Sequence, residues 1–261
     1  MASDIAWQRI FDELNLHEHD FDAAPAEITA EQIKNACRDF SRVADKEVRI
    51  LCKQDRRRDS PRIFVDNNLF ILPKHNGSYY IIKGEGYVDI PDIISGIQDY
   101  HSILDFPLQS SSVGDSEMQH VDFAYANSLI RTFMDDPSLV LTIRGRKYSP
   151  HFECRVNGFN LNISSIQTEV DAGYEGRNSV VLLEAKNSGT TDTIIRQIYF
   201  PFRQWSTHIP NKSVHTLFFE KRIINNDLIY YIWQFDFQDV NDYNSIRLIR
   251  SARYRIIQNN P

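Results

Sequence analysis

Val180-Val181-Leu182-Leu183-Glu184-Ala185-Lys186 is an apolar run that ends in an acid and, two positions later, a lysine; Asp171 stands thirteen residues before Glu184. Ile166 to Tyr174 and Ser179 to Asn187 read as paired strands around Glu175-Gly176-Arg177-Asn178. Side chains alternate between faces along a strand. Glu184 and Lys186 therefore share a face with Leu182, while Val181, Leu183 and Ala185 lie opposite. On the first strand, Asp171 shares a face with Glu169 and Gln167. If the two polar faces meet, Asp171, Glu184 and Lys186 converge at one end of the hairpin.

Such a cluster needs a reason to exist. Two carboxylates about 4 Å apart repel by roughly 4 kcal/mol at an effective dielectric near 20. A divalent cation reverses that sign and dominates the local field. Oxygen ligands without a neighbouring thiol or imidazole favour Mg²⁺, which keeps several waters and is completed by substrate phosphate; Mn²⁺ is the expected substitute. A lysine in this position can lower the pKa of an attacking water or stabilise charge on a phosphorane-like transition state. Of the nine lysines in the chain, Lys186 alone has an acid two residues before it.

Outward from this centre, Thr190 to His208 reads as a helix with Ile194, Ile195, Ile198, Tyr199, Phe202 and Trp205 on its buried side. Arg196 and Arg203 line the other side, Gln197 lies near the end following the Glu-Ala-Lys strand, and Pro201 removes a donor. Strands over 214–219 and 228–237, joined through Asn225-Asn226-Asp227, come next. Ser116 to Met134 carries a helical stripe of Met118, Val121, Tyr125, Leu129 and Phe133, closed by Asp135-Asp136-Pro137.

The front of the chain differs in character. Residues 1–27 form an acidic helical segment, with a helix from Ile5 to Leu16. Residues 28–95 read as a small α/β unit: a helix from Thr29 to Phe40, a strand or short helix at Val48–Lys53, and a hairpin around Asn76-Gly77. The order helix, basic segment, hairpin is that of a winged helix-turn-helix. Lys53, Arg56, Arg57, Arg58 and the hairpin-tip Lys74 are its candidate DNA contacts, with the three arginines on an exposed loop; arginine matches phosphate and guanine edges bidentately. Arg196 and Arg203 are further candidates. Residues 96–261 form the catalytic body.

Composition limits the alternatives. With 42% hydrophobic and 25% charged residues, 261 residues make a globular protein of one large or two small domains. There is no apolar run of membrane-spanning length, and the start Met-Ala-Ser-Asp-Ile-Ala-Trp lacks the pattern of a signal peptide. Cys37, Cys52 and Cys154 read as reduced thiols, and the expected compartment is the cytoplasm. Residues 1–40 hold nine acids against three bases, which accounts for the whole net charge of −6, so the rest is balanced and compatible with a polyanion partner. Neither a Gly-x-Ser-x-Gly elbow nor helically spaced histidines are present, and Gly84-Glu85-Gly86 lacks the context of a dinucleotide fingerprint.

Val170-Asp171, then Glu184-Ala185-Lys186, then an amphipathic helix and a further strand, resembles the PD-(D/E)xK nuclease superfamily over roughly residues 115–237. In size and front end the chain resembles type II restriction endonucleases. The resemblance implies an α/β (α+β) fold, a central mixed sheet flanked by helices with a restriction-endonuclease-like core behind a small winged-helix-like domain. It implies Asp171 and Glu184 as metal ligands, Lys186 as the catalytic lysine, and Glu117 as an acid on the helix before the core, with Glu169 and Gln197 as possible supporting residues. Val170 replaces the usual proline. The implied reaction is Mg²⁺-dependent hydrolysis of double-stranded DNA at a specific sequence, leaving 5′-phosphate and 3′-hydroxyl ends, by a homodimer with a cognate DNA methyltransferase as its counterpart. Two other readings are a structure-selective repair or junction nuclease and a non-catalytic winged-helix DNA-binding regulator.

Overall fold

A computed structural model describes residues 3–187 and 189–259. The first helix, α1 (Asp4–Glu13), starts where the Ser3 hydroxyl accepts the Ala6 amide at 3.3 Å, with Asp4 complementing the positive end of the dipole. Its buried face carries Ala6, Trp7, Ile10 and Phe11. Strand β1 (Ala26–Thr29) leads into α2 (Ala30–Ala36) through a reciprocal capping box between Thr29 and Gln32. This helix ends at Ala36, short of the expected Phe40. Two single turns follow, α3 (Val43–Lys46) and α4 (Val48–Leu51), so the strand-or-helix segment is helical. Next come α5 (Arg62–Asp66) and the hairpin β2 (Leu69–His75) and β3 (Ser78–Lys83), whose turn is closed by Gly77 at φ +82°. The sheet order is β1-β3-β2.

Alternation along the hairpin explains how this unit is attached. Leu69, Ile71 and Ile81 point into a core with Trp7, Ile10, Phe11, Ile28, Leu51 and Phe64. Phe70, Leu72, Tyr80 and Ile82, on the other face, belong to the main core of the molecule. Residues 1–27, expected to stand apart, share the first core through α1 and β1. The expected boundary at 95 also moves: strand β4 (Tyr87–Asp89) already belongs to the second body.

That body continues with β5 (Gln98–His101), α6 (Glu117–Ala126), α7 (Leu129–Met134), β6 (Val140–Tyr148), β7 (Phe152–Val156) and β8 (Phe159–Ile163). The helix expected over 116–134 is thus two helices, broken at Asn127-Ser128, where Ser128 takes φ +63°. The remaining elements are β9 (Gln167–Glu175), β10 (Ser179–Lys186), β11 (Asp192–Ile194), α8 (Arg196–His208), β12 (Ser213–Ile224), β13 (Asp227–Phe237) and β14 (Ile246–Ile257). Among the described residues, seven strands form a mixed sheet in the order β5-β14-β13-β12-β10-β9-β6. The fold is α+β, a large mixed sheet flanked by helices.

Central strand β10 pairs antiparallel with β9 and parallel with β12, and it is covered on both faces, as its continuous apolar run requires. Val180 and Leu182 pack with Ile198, Phe218 and Trp233 on the α8 side. Val181, Leu183 and Ala185 pack with Val121, Ile130 and Phe219 on the α6–α7 side. The β12–β13 turn has Asn225 and Asn226 at φ 50° and 70°, the left-handed pair that a two-residue hairpin needs. The helix expected over 190–208 begins only at Arg196, because Asp192–Ile194 is drawn into a ladder with β4. Among the described residues, no helix is long and apolar enough to cross a membrane.

Gly86 sits at the junction of the two bodies, its carbonyl accepting the Ile195 amide and the Tyr243 hydroxyl, each at 3.0 Å. A methyl placed there runs into the ring of Phe70. Gly86→Ala should therefore cost about 1–3 kcal/mol, read as a lower urea midpoint. An unchanged midpoint would mean that the Phe70 ring yields freely.

Candidate active site

The β9–β10 register runs from Glu175↔Val180 to Ala172↔Leu183. One further step sets Asp171 across from Glu184. The Asp171 carboxylate reaches over the strand and accepts the Ala185 amide at 2.8 Å. Lys186 Nζ donates to Glu184 Oε1, both side chains on the α8 face and largely buried. Asp171, Glu184 and Lys186 are thus brought together at the end of β10. Glu117 joins them from the first turn of α6, accepting the Asn187 amide at 3.1 Å.

Burial raises the Glu184 carboxyl to about 7; the Lys186 ammonium opposes this, and Asp171 and Asp55 add to it. Burial likewise raises Asp171, against the Ala185 amide and Lys186. Burial works against the Lys186 ammonium too, but Glu184 outweighs it, with help from Asp171 and Glu117, and its pKa is raised. Two acids disfavoured as anions and facing one lysine are short of positive charge. A hard divalent cation fits this donor set: carboxylate oxygens from Asp171 and Glu184, with water and phosphate oxygens completing the shell. Among the described residues no group of three or more His, Cys, Asp or Glu is gathered for a metal.

The supporting candidates divide. Gln197 and Glu169 line a crevice of about 10 Å³ beside Glu184, together with Thr216 and Pro201; Gln197 accepts the Thr193 hydroxyl at 2.7 Å. Glu169 also pairs with Arg146 at 3.1 Å, toward solvent. The arginine run is not the free loop expected. Arg57 contacts Asp89 at 2.6 Å and Glu85 at 3.1 Å, and its amide donates to Asp192 at 2.7 Å. Arg56 donates to the Thr190 hydroxyl at 3.2 Å, while Arg58 remains exposed. The reason is that β11 offers this segment a ladder position: the Ile194 amide donates to the Asp55 carbonyl at 2.8 Å. Arg196 turns back to Asp55 at 2.9 Å. Arg203 is committed to Val240, Asn241 and Glu153 and lies over Phe152. Lys74 is paired with Glu27 at 2.6 Å, and Lys53 is exposed beside Asp55 at 3.8 Å.

Two participants escaped the sequence reading. Arg144 on β6 donates to the Asp171 carbonyl at 3.3 Å and pairs with Asp122. Glu220, register partner of Lys186, is fully buried, accepting the Thr190 amide and Arg222 Nε at 2.7 Å each. Its signal was present: Leu217-Phe218-Phe219-Glu220 repeats the pattern of an apolar strand ending in an acid.

The raised Glu184 pKa carries a sign. Protonated Glu184 contributes stability that is complete below its ordinary value of 4.5 and is lost as pH rises through about 7. Relative to Glu184→Gln, the wild type should lose on the order of 3–4 kcal/mol across that window in urea titrations without divalent cations, at about 1.4 kcal/mol per pH unit. Parallel stability curves for the two proteins would contradict this.

A family model described as Domain of unknown function (DUF6997) matches residues 82–255, and one described as Domain of unknown function (DUF6996) matches residues 4–81. Their meeting point, at the end of β3, coincides with the passage from the first core to the second body. No curated protein and no solved structure matches the chain. Since the first of these models spans more than half of its length, the chain belongs to the DUF6997 family.

Proposed function

We propose that this chain is a divalent-cation-dependent endonuclease that hydrolyses phosphodiester bonds of double-stranded DNA, acting at a specific sequence as a type II restriction endonuclease does. The observation that carries the reading is the placement of Asp171 opposite Glu184, with Lys186 on the same strand end and Glu117 closing from α6. Asp171 and Glu184 are the residues that would hold Mg²⁺, or Mn²⁺ in its place. Bound there, the cation supplies Lewis-acid charge that acidifies water and offsets charge growing on the phosphoryl oxygens.

Lys186 supplies an ammonium kept protonated by Glu184 and aimed by it, able to donate to the developing oxyanion. The Ala185 amide fixes one Asp171 oxygen and leaves the other for substrate-side chemistry. Water attacks phosphorus and the P–O3′ bond breaks. The leaving oxygen takes a proton, giving 5′-phosphate and 3′-hydroxyl ends.

The N-terminal unit is the proposed reader. Its order of helix, strand, helices and hairpin, with sheet order β1-β3-β2, supports a winged-helix assignment. Lys53 and Arg58, being exposed, are its best placed phosphate contacts; Arg56, Arg57, Arg196 and Arg203 hold the protein to itself. A homodimer in a prokaryotic cytoplasm, paired with a protective DNA methyltransferase, completes the proposal.

The test is incubation with unmethylated plasmid or phage DNA and Mg²⁺, followed by end-sequencing. Discrete fragments support a restriction enzyme, and no cutting under any divalent cation sinks the reading. Lys186→Ala should lose at least ~10²-fold in cleavage rate with duplex affinity nearly unchanged, since its role lies in the chemical step. Arg58→Glu should weaken duplex binding and lower the salt slope by about 0.9. Affinity unaffected by that charge reversal would remove Arg58 from the interface.

A further inference from the structure

We propose that Lys221 and His120 form a binding site for a phosphate group, and that Asp115 occupies it in the free protein. Lys221 follows Glu220 on β12 and turns to the α6 side of the sheet, where only 7% of its side chain is exposed. His120, on α6, is 8% exposed. Both meet the same atom: Asp115 Oδ1 contacts His120 Nε2 at 2.8 Å and also takes the Lys221 ammonium. Asp115 itself is 72% exposed, on the loop before α6. A surface carboxylate thus stands in for the counter-ion of a buried ammonium.

The donor count argues that the carboxylate is a substitute. Tyr230 is the register partner of Lys221 on β13, and its ring lies near that of His120. Its hydroxyl is buried without a hydrogen-bond partner. Lys221 and His120 therefore converge on one carboxylate oxygen, two donors on a single acceptor atom, with Tyr230 on the same side of the sheet. A tetrahedral anion offers several acceptor oxygens and can serve a cluster of donors at once. Buried polar groups are normally satisfied, and the Tyr230 hydroxyl, on the strand paired with that of Lys221, is one that is not.

The loop that carries Asp115 is built to leave. Among the described residues its side-chain ties to α6 are polar: Gln119 Nε2 donates to the carbonyls of Ser110 and Ser111 at 3.2 and 3.1 Å and to that of Val113, and Asp115 meets His120. Val113 is 76% exposed and gives no apolar anchor. Segments held by exposed polar contacts open at low free-energy cost.

The position suggests which phosphate. Lys221 is adjacent in sequence to the register partner of Lys186, and His120 lies one helical turn from Glu117, with Cβ atoms about 5–6 Å apart for such a pair. Within the nuclease reading, the phosphate in question is a second DNA phosphodiester on the α6 side of the sheet, across from the Lys186 side. That identification rests on the nuclease reading; the anion site does not.

The experiment uses the full chain in EDTA with two probes, inorganic phosphate and a short duplex. Asp115→Asn should acquire a phosphate-dependent rise in Tm, absent with equal ionic strength of chloride. It should also bind duplex several-fold more tightly, with a salt slope steeper by about 0.9 as one more DNA phosphate is neutralised. Adding Lys221→Met or, should that variant not fold, His120→Gln should remove both effects. The proposal is overturned if Asp115→Asn responds to phosphate no more than wild type, or if the double variants keep the response. A phosphate response without duplex tightening keeps the site and assigns it to a free phosphate compound. A phosphate response in a protein that cuts no DNA keeps the site and removes the nuclease reading alone.

Discussion

The hydrogen bond from the Ala185 amide to the Asp171 carboxylate, 2.8 Å across two strands, is the constraint on which the candidate centre depends. It is available because the β9–β10 register leaves residue 171 one step beyond the last paired residue, where its side chain can reach the neighbouring backbone. It also withholds one oxygen of Asp171 from other use. With Asp171 fixed, Glu184 cannot avoid a second negative charge, and burial on the α8 side raises both carboxyl groups. Lys186 compensates in part by closing on Glu184. In the proposed function, the cation would supply the positive charge that Lys186 alone does not.

The parallel pairing of β10 with β12 extends this arrangement to the rest of the molecule. It places Glu220 beside Lys186, and Glu220 in turn holds the Thr190 amide. Thr190 receives Arg56 from the N-terminal unit, and Asp55 from the same segment grips Arg196. The loop between α4 and α5 is therefore stitched to the elements following Lys186. Phe70, Leu72, Tyr80 and Ile82 make the attachment apolar as well, since the N-terminal sheet lends its second face to the main core. In the proposed function, such a joint gives the reader a rigid position relative to the cutting strand.

Strand periodicity made the centre legible from sequence. Asp171, Glu184 and Lys186 sit where two-residue alternation puts them, and the hairpins at Asn76-Gly77 and Asn225-Asn226 follow from residues that tolerate left-handed conformations. Helix limits were less legible where tertiary pairing overrides local pattern. Thr190 to Ile194 looks helical by apolar spacing, but an open edge at β4 takes Asp192–Ile194 as a strand. The arginine run misled for a related reason: a hydrophilic triplet reads as solvated until an acidic partner surface, here Glu85, Asp89 and Asp192, is known to face it. Glu220 carries the pattern of an apolar strand ending in an acid, but its partners, Arg222 and the Thr190 backbone, are marked by no motif.

Cleavage of duplex DNA in ¹⁸O-labelled water with Mg²⁺ decides whether this centre hydrolyses phosphodiesters. Hydrolysis at Asp171, Glu184 and Lys186 places one ¹⁸O in the 5′-phosphate of every new end and leaves an unlabelled 3′-hydroxyl. Intact DNA, or cuts that carry 3′-phosphate ends, would contradict that chemistry.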